Sequence, residues 1–154
     1  MVQIMFIRFL YFGFRIYCFL FRPIRMGVRV MMIKDGKVWL VRQTYVPGWF
    51  MPGGGLKKNE TLEEAARREA REETGAELGT VTLMGAYSNF TEWKNDHNIL
   101  FLCTDFEFKG KPDNESAELR AFPLGDLPAE LWPGHRRRVE EYRTGANNPQ
   151  FGVW

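Results

Sequence analysis

Cysteine and histidine are scarce in this chain, with two of each among 154 residues. Cys18 and Cys103 make no CxxC or other ligand spacing, which argues against a disulfide scaffold and leaves buried or free thiols of a reducing, cytoplasmic compartment. His97 and His135 form no zinc spacing either. No uninterrupted run of 18 apolar residues occurs, so the pattern of an ordinary membrane-spanning helix is absent. Charge excess is missing too. The net charge is +2, and Arg8, Arg15, Arg22 and Arg25 are the only charges before Gly27, which leaves 17 − 19 = −2 for the remainder. A chain so balanced is not built to gather a polyanion, and nucleic acid is not an expected partner. What is present suits one soluble domain with a real core: 45% hydrophobic and 26% charged residues.

Residues 1–25, MVQIMFIRFLYFGFRIYCFLFRPIR, are dense in Phe, Ile, Leu and Tyr. Arg8, Arg15 and Arg22 recur every seven residues, which keeps them on one side of a helix to within about 20° per repeat. A signal peptide would need a charged start, a clean apolar core and a small-residue cleavage site. A spanning segment would bury Arg8 and Arg15 at about 2.5 to 3.5 kcal/mol for an Arg at the bilayer centre. Two readings stay open: a helix packed on the domain or on a second subunit in a homodimer, or one lying in a membrane interface through residues 1–22 with its arginines snorkelling, which would make the protein membrane-peripheral. Pro23 then ends the helix. The expected division is an N-terminal apolar and basic helix over 1–25 and a globular domain over 26–154.

The most informative stretch is GGGLKKNETLEEAARREAREETGA, residues 53–76. Thr61 with Glu64 three residues on reads as a capping box and Gly75 as a left-handed stop, so a helix of about three turns runs between them. At about 100° per residue, Leu62, Ala65, Ala66 and Ala70 make one apolar stripe, with Glu63, Glu64, Arg67, Arg68 and Arg71 opposite. Glu69 and Glu73 break that division by falling near the middle of the inward stripe, and Glu72 sits on its edge. Three carboxylates beside a core would repel one another and cost several kcal/mol of desolvation unless a hard cation neutralises them. The plain alternative is a solvated acidic helix of weak Glu–Arg pairs.

The order of residues decides between them. From Gly54 the chain gives five residues, Glu60, seven residues, then Arg68, Glu69, Ala70, Arg71, Glu72, Glu73, Thr74, Gly75 and Ala76. This resembles the Nudix box at every fixed position, and flanking sequence extends the resemblance weakly over roughly Gly27 to Leu131. It implies an α/β/α sandwich with a mixed sheet, an α/β fold to which the N-terminal helix is added. It also implies Mg²⁺, with Mn²⁺ as the alternative ion, held by the Gly53 carbonyl, Glu69, Glu72 and Glu73. A downstream acid, Glu115 first and Glu118 second, completes the set. Gly54, Glu60 and Gly75 are structural in the motif, and Arg68 orients a carboxylate.

Around the box the periodicity is that of strands. VRVMMIKDGKVWLVRQ reads as a hairpin about Asp35-Gly36. The loop TYVPGWFMPGGG follows, carrying Tyr45, Trp49 and Phe50. Residues 81–90 and 99–108 read as strands around a polar loop, TEWKNDH, and GHRRRVEEYR reads as a terminal helix whose arginine run is a solvated face. Arg42 ends a strand where the resemblance places a phosphate-binding arginine; a solvated strand end is the alternative. Tyr45, Trp49 and Trp93 are candidates to stack on a base, or else belong to the core.

The resemblance implies a Mg²⁺-dependent pyrophosphohydrolase acting on a small-molecule nucleoside diphosphate linked to a second moiety X. Glu69 or Glu115 would deprotonate the attacking water. The signatures of several subfamilies are missing, so X stays open among an oxidised nucleotide, a nucleotide sugar and a capped RNA end. A non-catalytic Nudix-fold sensor or docking regulator is the alternative. Because residues 1–22 bring no carboxylate, the chemistry is expected not to need them.

Overall fold

The computed structural model describes residues 2–21, 23–145 and 149–154, with side chains for these except residues 2–8 and 92. The Arg22 position and the Arg8 side chain, two members of the basic seam, therefore lie outside the described residues.

Three helices and eight strands follow in the order α1 (Val2–Phe21), β1 (Ile24–Lys34), β2 (Lys37–Gln43), α2 (Leu62–Thr74), β3 (Ala76–Leu78), β4 (Thr82–Asn89), β5 (Asn95–Cys103), β6 (Phe106–Phe108), β7 (Ser116–Pro123), α3 (Pro133–Arg143) and β8 (Gln150–Val153). A six-stranded mixed sheet runs β7-β2-β1-β5-β4-β8, and β3 pairs with β6 in a small ribbon. The Asp35-Gly36 turn has positive φ at both residues, 52° and 70°, the twist that a two-residue hairpin requires. Strand β1 begins at Ile24, directly after Pro23.

Alternation along the central strands divides the core in two. Val28, Val30 and Met32 face α2, where Ala65, Ala66 and Ala70 let the helix backbone approach the sheet closely. Met31, Ile33, Val38 and Leu40 face the other way, onto Trp49, Met51, Leu131, Val139 and Trp154. Helices therefore cover both faces, and the expected α/β/α sandwich with a mixed sheet is what forms.

The ends of α2 follow the sequence signals closely. Thr61 Oγ1 accepts from the Glu64 amide at 3.2 Å while the Glu64 carboxylate accepts from the Thr61 amide at 2.8 Å, and Gly75 stops the helix at φ 73°. Two other expectations are corrected. The polar stretch TEWKNDH is not all loop: after a 3-10 turn over Thr91–Trp93, residues from Asn95 onward already belong to β5. They do so because β5 lies between β1 and β4 and pairs with both, so backbone bonding on two sides overrides a polar pattern. The strand expected to run unbroken to Phe108 instead divides after Cys103, with β6 leaving to pair with β3.

The arginine run of α3 is only in part a solvated face: Arg137 is exposed, but all three side chains are bonded and Arg138 is buried. Arg136 donates to the Pro128 carbonyl at 2.7 Å and Arg137 donates to the Trp154 carbonyl. Arg138 is 4% exposed, pairs with Glu141 at 2.8 Å and lies 3.9 Å over the Tyr87 ring. Arg137 and Arg138 tie α3 to the C-terminal segment, through the Trp154 and Val153 carbonyls.

Candidate active site

The loop between β2 and α2 delivers the glycines to the edge of β1. Val30 donates to the Pro52 carbonyl at 2.8 Å and Val28 to the Gly54 carbonyl at 2.9 Å, so the loop runs beside the strand as an added ribbon. Such closeness demands glycine. A Cβ on Gly53, whose φ is 146°, would stand 2.1 Å from the Val28 carbonyl oxygen, and one on Gly54 would stand 2.6 Å from a Glu69 carboxylate oxygen.

Glu73 is the buried member of the acidic set, 7% exposed. One of its oxygens accepts from the Gly53 amide at 2.9 Å and the other from Gln43 Nε2 at 3.1 Å. Burial pushes its carboxyl up to about 7, against the pull of Arg29 and these two donors. Arg68 organises the rest. Its guanidinium donates to both oxygens of Glu60 at 2.6 and 2.9 Å, to Glu69 at 2.6 Å, to Glu72 at 3.0 Å and to the Gly55 carbonyl at 3.1 Å. A planar fork of five donors can hold three carboxylates at once in a way an ammonium cannot. The bond from Arg68, with help from the Lys57 amide, lowers the Glu60 carboxyl to about 2. Glu72 is more exposed and also pairs with Lys57 at 3.4 Å.

Gly53, Glu69, Glu73 and Glu115 border one cleft of about 650 Å³, within the size range of small-molecule sites. Burial together with Asp113, Glu69 and Glu72 raises the Glu115 carboxyl. Glu118, the second choice for the downstream acid, lies in β7 opposite Arg42, and Arg120 pairs with it. Tyr45 borders the cleft, its hydroxyl pushed up to about 12 by burial and by Glu115 and Glu73.

The other substrate-binding candidates lie elsewhere. Trp49 is 2% exposed in the core, edge-on to Phe122. Arg42 lies over Trp49 at 4.7 Å, donates to Glu130 at 2.7 Å and borders a separate shallow depression. Alternation explains this: Arg42 shares the strand face of Val38 and Leu40, whereas Gln43 turns to Glu73. Trp93 is half-exposed and packs edge-on against Phe19 at 5.2 Å.

Two residues that the sequence reading missed help build the site, Gln43 and Arg29. Arg29 Nη1 donates to the Gly53 carbonyl at 2.6 Å and to the Met51 carbonyl at 3.4 Å. The available signal was a single charge within the apolar run Val28 to Ile33, since a charge in a central strand has to be spent on something. His135, also in the cleft wall, accepts from the Met51 amide through Nδ1 at 3.2 Å and sits edge-on to Phe50 and Trp154. Burial and Arg29 hold its pKa well below the usual imidazole range, so it is neutral. Among the described residues, no three acidic, imidazole or thiol groups converge as a finished metal cage. The donors nonetheless fit a hard divalent cation by their chemistry, being all oxygen and net negative, with Glu73 buried.

Comparison with known proteins identifies the family. The family model described as NUDIX domain matches residues 23–142. An ADP-ribose pyrophosphatase of Methanocaldococcus jannaschii is 32% identical over 119 residues, covering 74% of this chain and 70% of that protein. A Bacillus subtilis protein provisionally named an 8-oxo-dGTP diphosphatase is 27% identical over 128 residues, covering 82% and 85%. Among solved structures, a MutT NUDIX hydrolase from Burkholderia pseudomallei superposes with a TM-score of 0.68 at 27% identity, covering 77% of this chain and 97% of that one. With the box, the sandwich and the family match in agreement, the chain belongs to the NUDIX hydrolase family.

Proposed function

We propose that this hydrolase cleaves the diphosphate linkage of a nucleoside diphosphate joined to a second moiety, with a divalent metal, Mg²⁺ or Mn²⁺, held by the Gly53 carbonyl, Glu69, Glu72, Glu73 and Glu115. The observation that carries the reading is the joining of Gly53, Glu69, Glu73 and Glu115 at one cleft, with Glu73 buried. When bound, the metal would screen the anionic oxygens of the diphosphate and stabilise the charge that develops as it breaks.

The chain's own residues supply position and proton transfer. Arg68 holds Glu69 and Glu72 in place, and Arg29 fixes the loop carbonyl of Gly53. Glu69 or Glu115 takes a proton from water as its oxygen bonds to phosphorus. The bridging P–O bond breaks, and its electron pair leaves on the departing phosphate. Arg25 and Arg29 border the same cleft and add positive charge for phosphate oxygens.

The relatives carry different substrate names, and their shared element is a diphosphate linked to nucleoside. Turnover across a panel of ADP-ribose, nucleotide sugars, oxidised nucleoside triphosphates and capped RNA ends, with and without Mg²⁺, tests the proposal. Metal-dependent release of a phosphorylated product is the expected outcome. Saturable binding of a panel member without turnover at any metal concentration would support the non-catalytic sensor instead.

A further inference from the structure

Helix α1 precedes the residues matched by the family model, yet it is part of the cleft. Its described inward stripe is Tyr11, Phe14 and Cys18, spaced three and four residues apart, with Cys18 buried and Tyr11 and Phe14 half-buried. Phe9, Phe12, Ile16 and Leu20 point away and are exposed. Tyr11 and Phe14 both border the cleft. The Tyr11 ring meets the Tyr45 ring at 5.9 Å, and the Arg25 guanidinium lies 4.6 Å from the Phe14 ring centre.

The cleft thus has two chemically different parts. Glu69, Glu73 and the Gly53 carbonyl give it a hard, oxygen-lined part that can meet phosphate only through a cation, whereas Tyr11, Phe14 and Tyr45 bring aromatic rings to its border. A nucleotide is divided in the same way, into anionic phosphates and a flat base. The phosphates must lie at the oxygen-lined part for the reaction to occur, which leaves the base to the rings.

We propose that Tyr11 and Phe14 form the wall against which the base of the nucleotide packs, so that a helix outside the family's domain determines which nucleotides bind. This rests on the hydrolase reading above. Tyr11 supplies a ring for the base to pack on, and Phe14 adds apolar wall while positioning Arg25, whose guanidinium lies over its ring.

The test uses the full chain and the best substrate of the panel. Tyr11→Ala and Phe14→Ala should each raise KM about tenfold, the effect expected for loss of one stacking partner, with kcat changed less than twofold. Tyr11→Phe should restore KM, and Phe12→Ala, on the exposed side of the helix, should leave it unchanged. If Tyr11→Ala loses its melting transition, Tyr11→Leu, which keeps bulk without a ring face, must show the same rise in KM. Unchanged KM in folded Tyr11 and Phe14 variants overturns this inference and leaves the hydrolase reading standing. A wild-type chain inert across the whole panel overturns that reading, and this inference falls with it.

Discussion

Arg29 Nη1 donates to the carbonyl oxygen of Gly53 at 2.6 Å, the same oxygen that is proposed as a metal ligand. A carbonyl has two lone pairs, so the two roles are compatible, and the guanidinium fixes the direction of the second pair. Arg29→Gln should therefore lower kcat/KM and weaken metal binding together. The lost charge-assisted bond should also reduce stability by about 1.5 to 3 kcal/mol. Metal titration by calorimetry and denaturant melts measure both. Unaltered metal affinity would remove Arg29 from the site.

Glu73→Gln keeps an acceptor for the Gly53 amide and deletes the charge, so the fold should survive while kcat falls by about 10² or more; Glu72→Gln should act in the same direction. Steady-state rates at saturating Mg²⁺, with circular dichroism as the fold control, decide this. Near-normal rates in both variants would displace the metal from α2.

The general base is separable by the same approach. If Glu69 takes the proton, Glu69→Gln should depress kcat far more than Glu115→Gln and abolish the acidic limb of the pH–rate profile. The reverse order assigns the base to the β6–β7 loop. Glu115 is held there by a turn in which Asp113 accepts its amide at 3.1 Å.

His135 makes stability depend on pH. Its folded pKa lies below the ordinary value, so below about 6.5 the unfolded chain binds a proton that the folded chain refuses. The contribution is complete above that pH and is lost as pH falls, at up to about 1.4 kcal/mol per pH unit. Glu73, pushed up to about 7, has the opposite sign: it favours the folded state at low pH and loses that contribution as pH rises. The measurement is therefore a difference. In EDTA between pH 5 and 7, His135→Asn, which keeps an acceptor for the Met51 amide but cannot titrate, should lose less stability on acidification than the wild type. Parallel curves would show that His135 is not the group responsible.

How much was legible in the sequence depends on whether the signal was local. The capping box, the Gly75 stop, the Asp35-Gly36 turn and α3 are short-range patterns, and they appear where their residues place them. Helix spacing and a single loop suffice to gather Glu60, Glu69 and Glu72 around Arg68, whereas Glu73 bonds separately to the Gly53 amide and Gln43. Long-range packing was not visible. Whether Arg42 or Gln43 turns toward α2 depends on strand register, and Arg29 has a role only because a distant loop is laid against β1. Arg138 could be read as internal only once β8 was known to return beside β4. The N-terminal helix formed as expected, and its inward stripe borders the cleft, a placement that no local signal in the sequence revealed.

Helix α1 therefore presents one side to the cleft and a broad apolar side outward, where Phe9, Phe12, Leu20 and Ile24 of the following strand are exposed. No described helix is long and apolar enough to cross a membrane. An element that borders the cleft on one side and is exposed on the other can link the two thermodynamically. Any occupant of the outer side that shifts α1 relative to β1 would alter the affinity of the cleft by some factor, and a filled cleft would alter the affinity of the outer side by that same factor. Turnover measured with the outer side covered and uncovered would then differ in KM before it differed in rate, without a single carboxylate having moved.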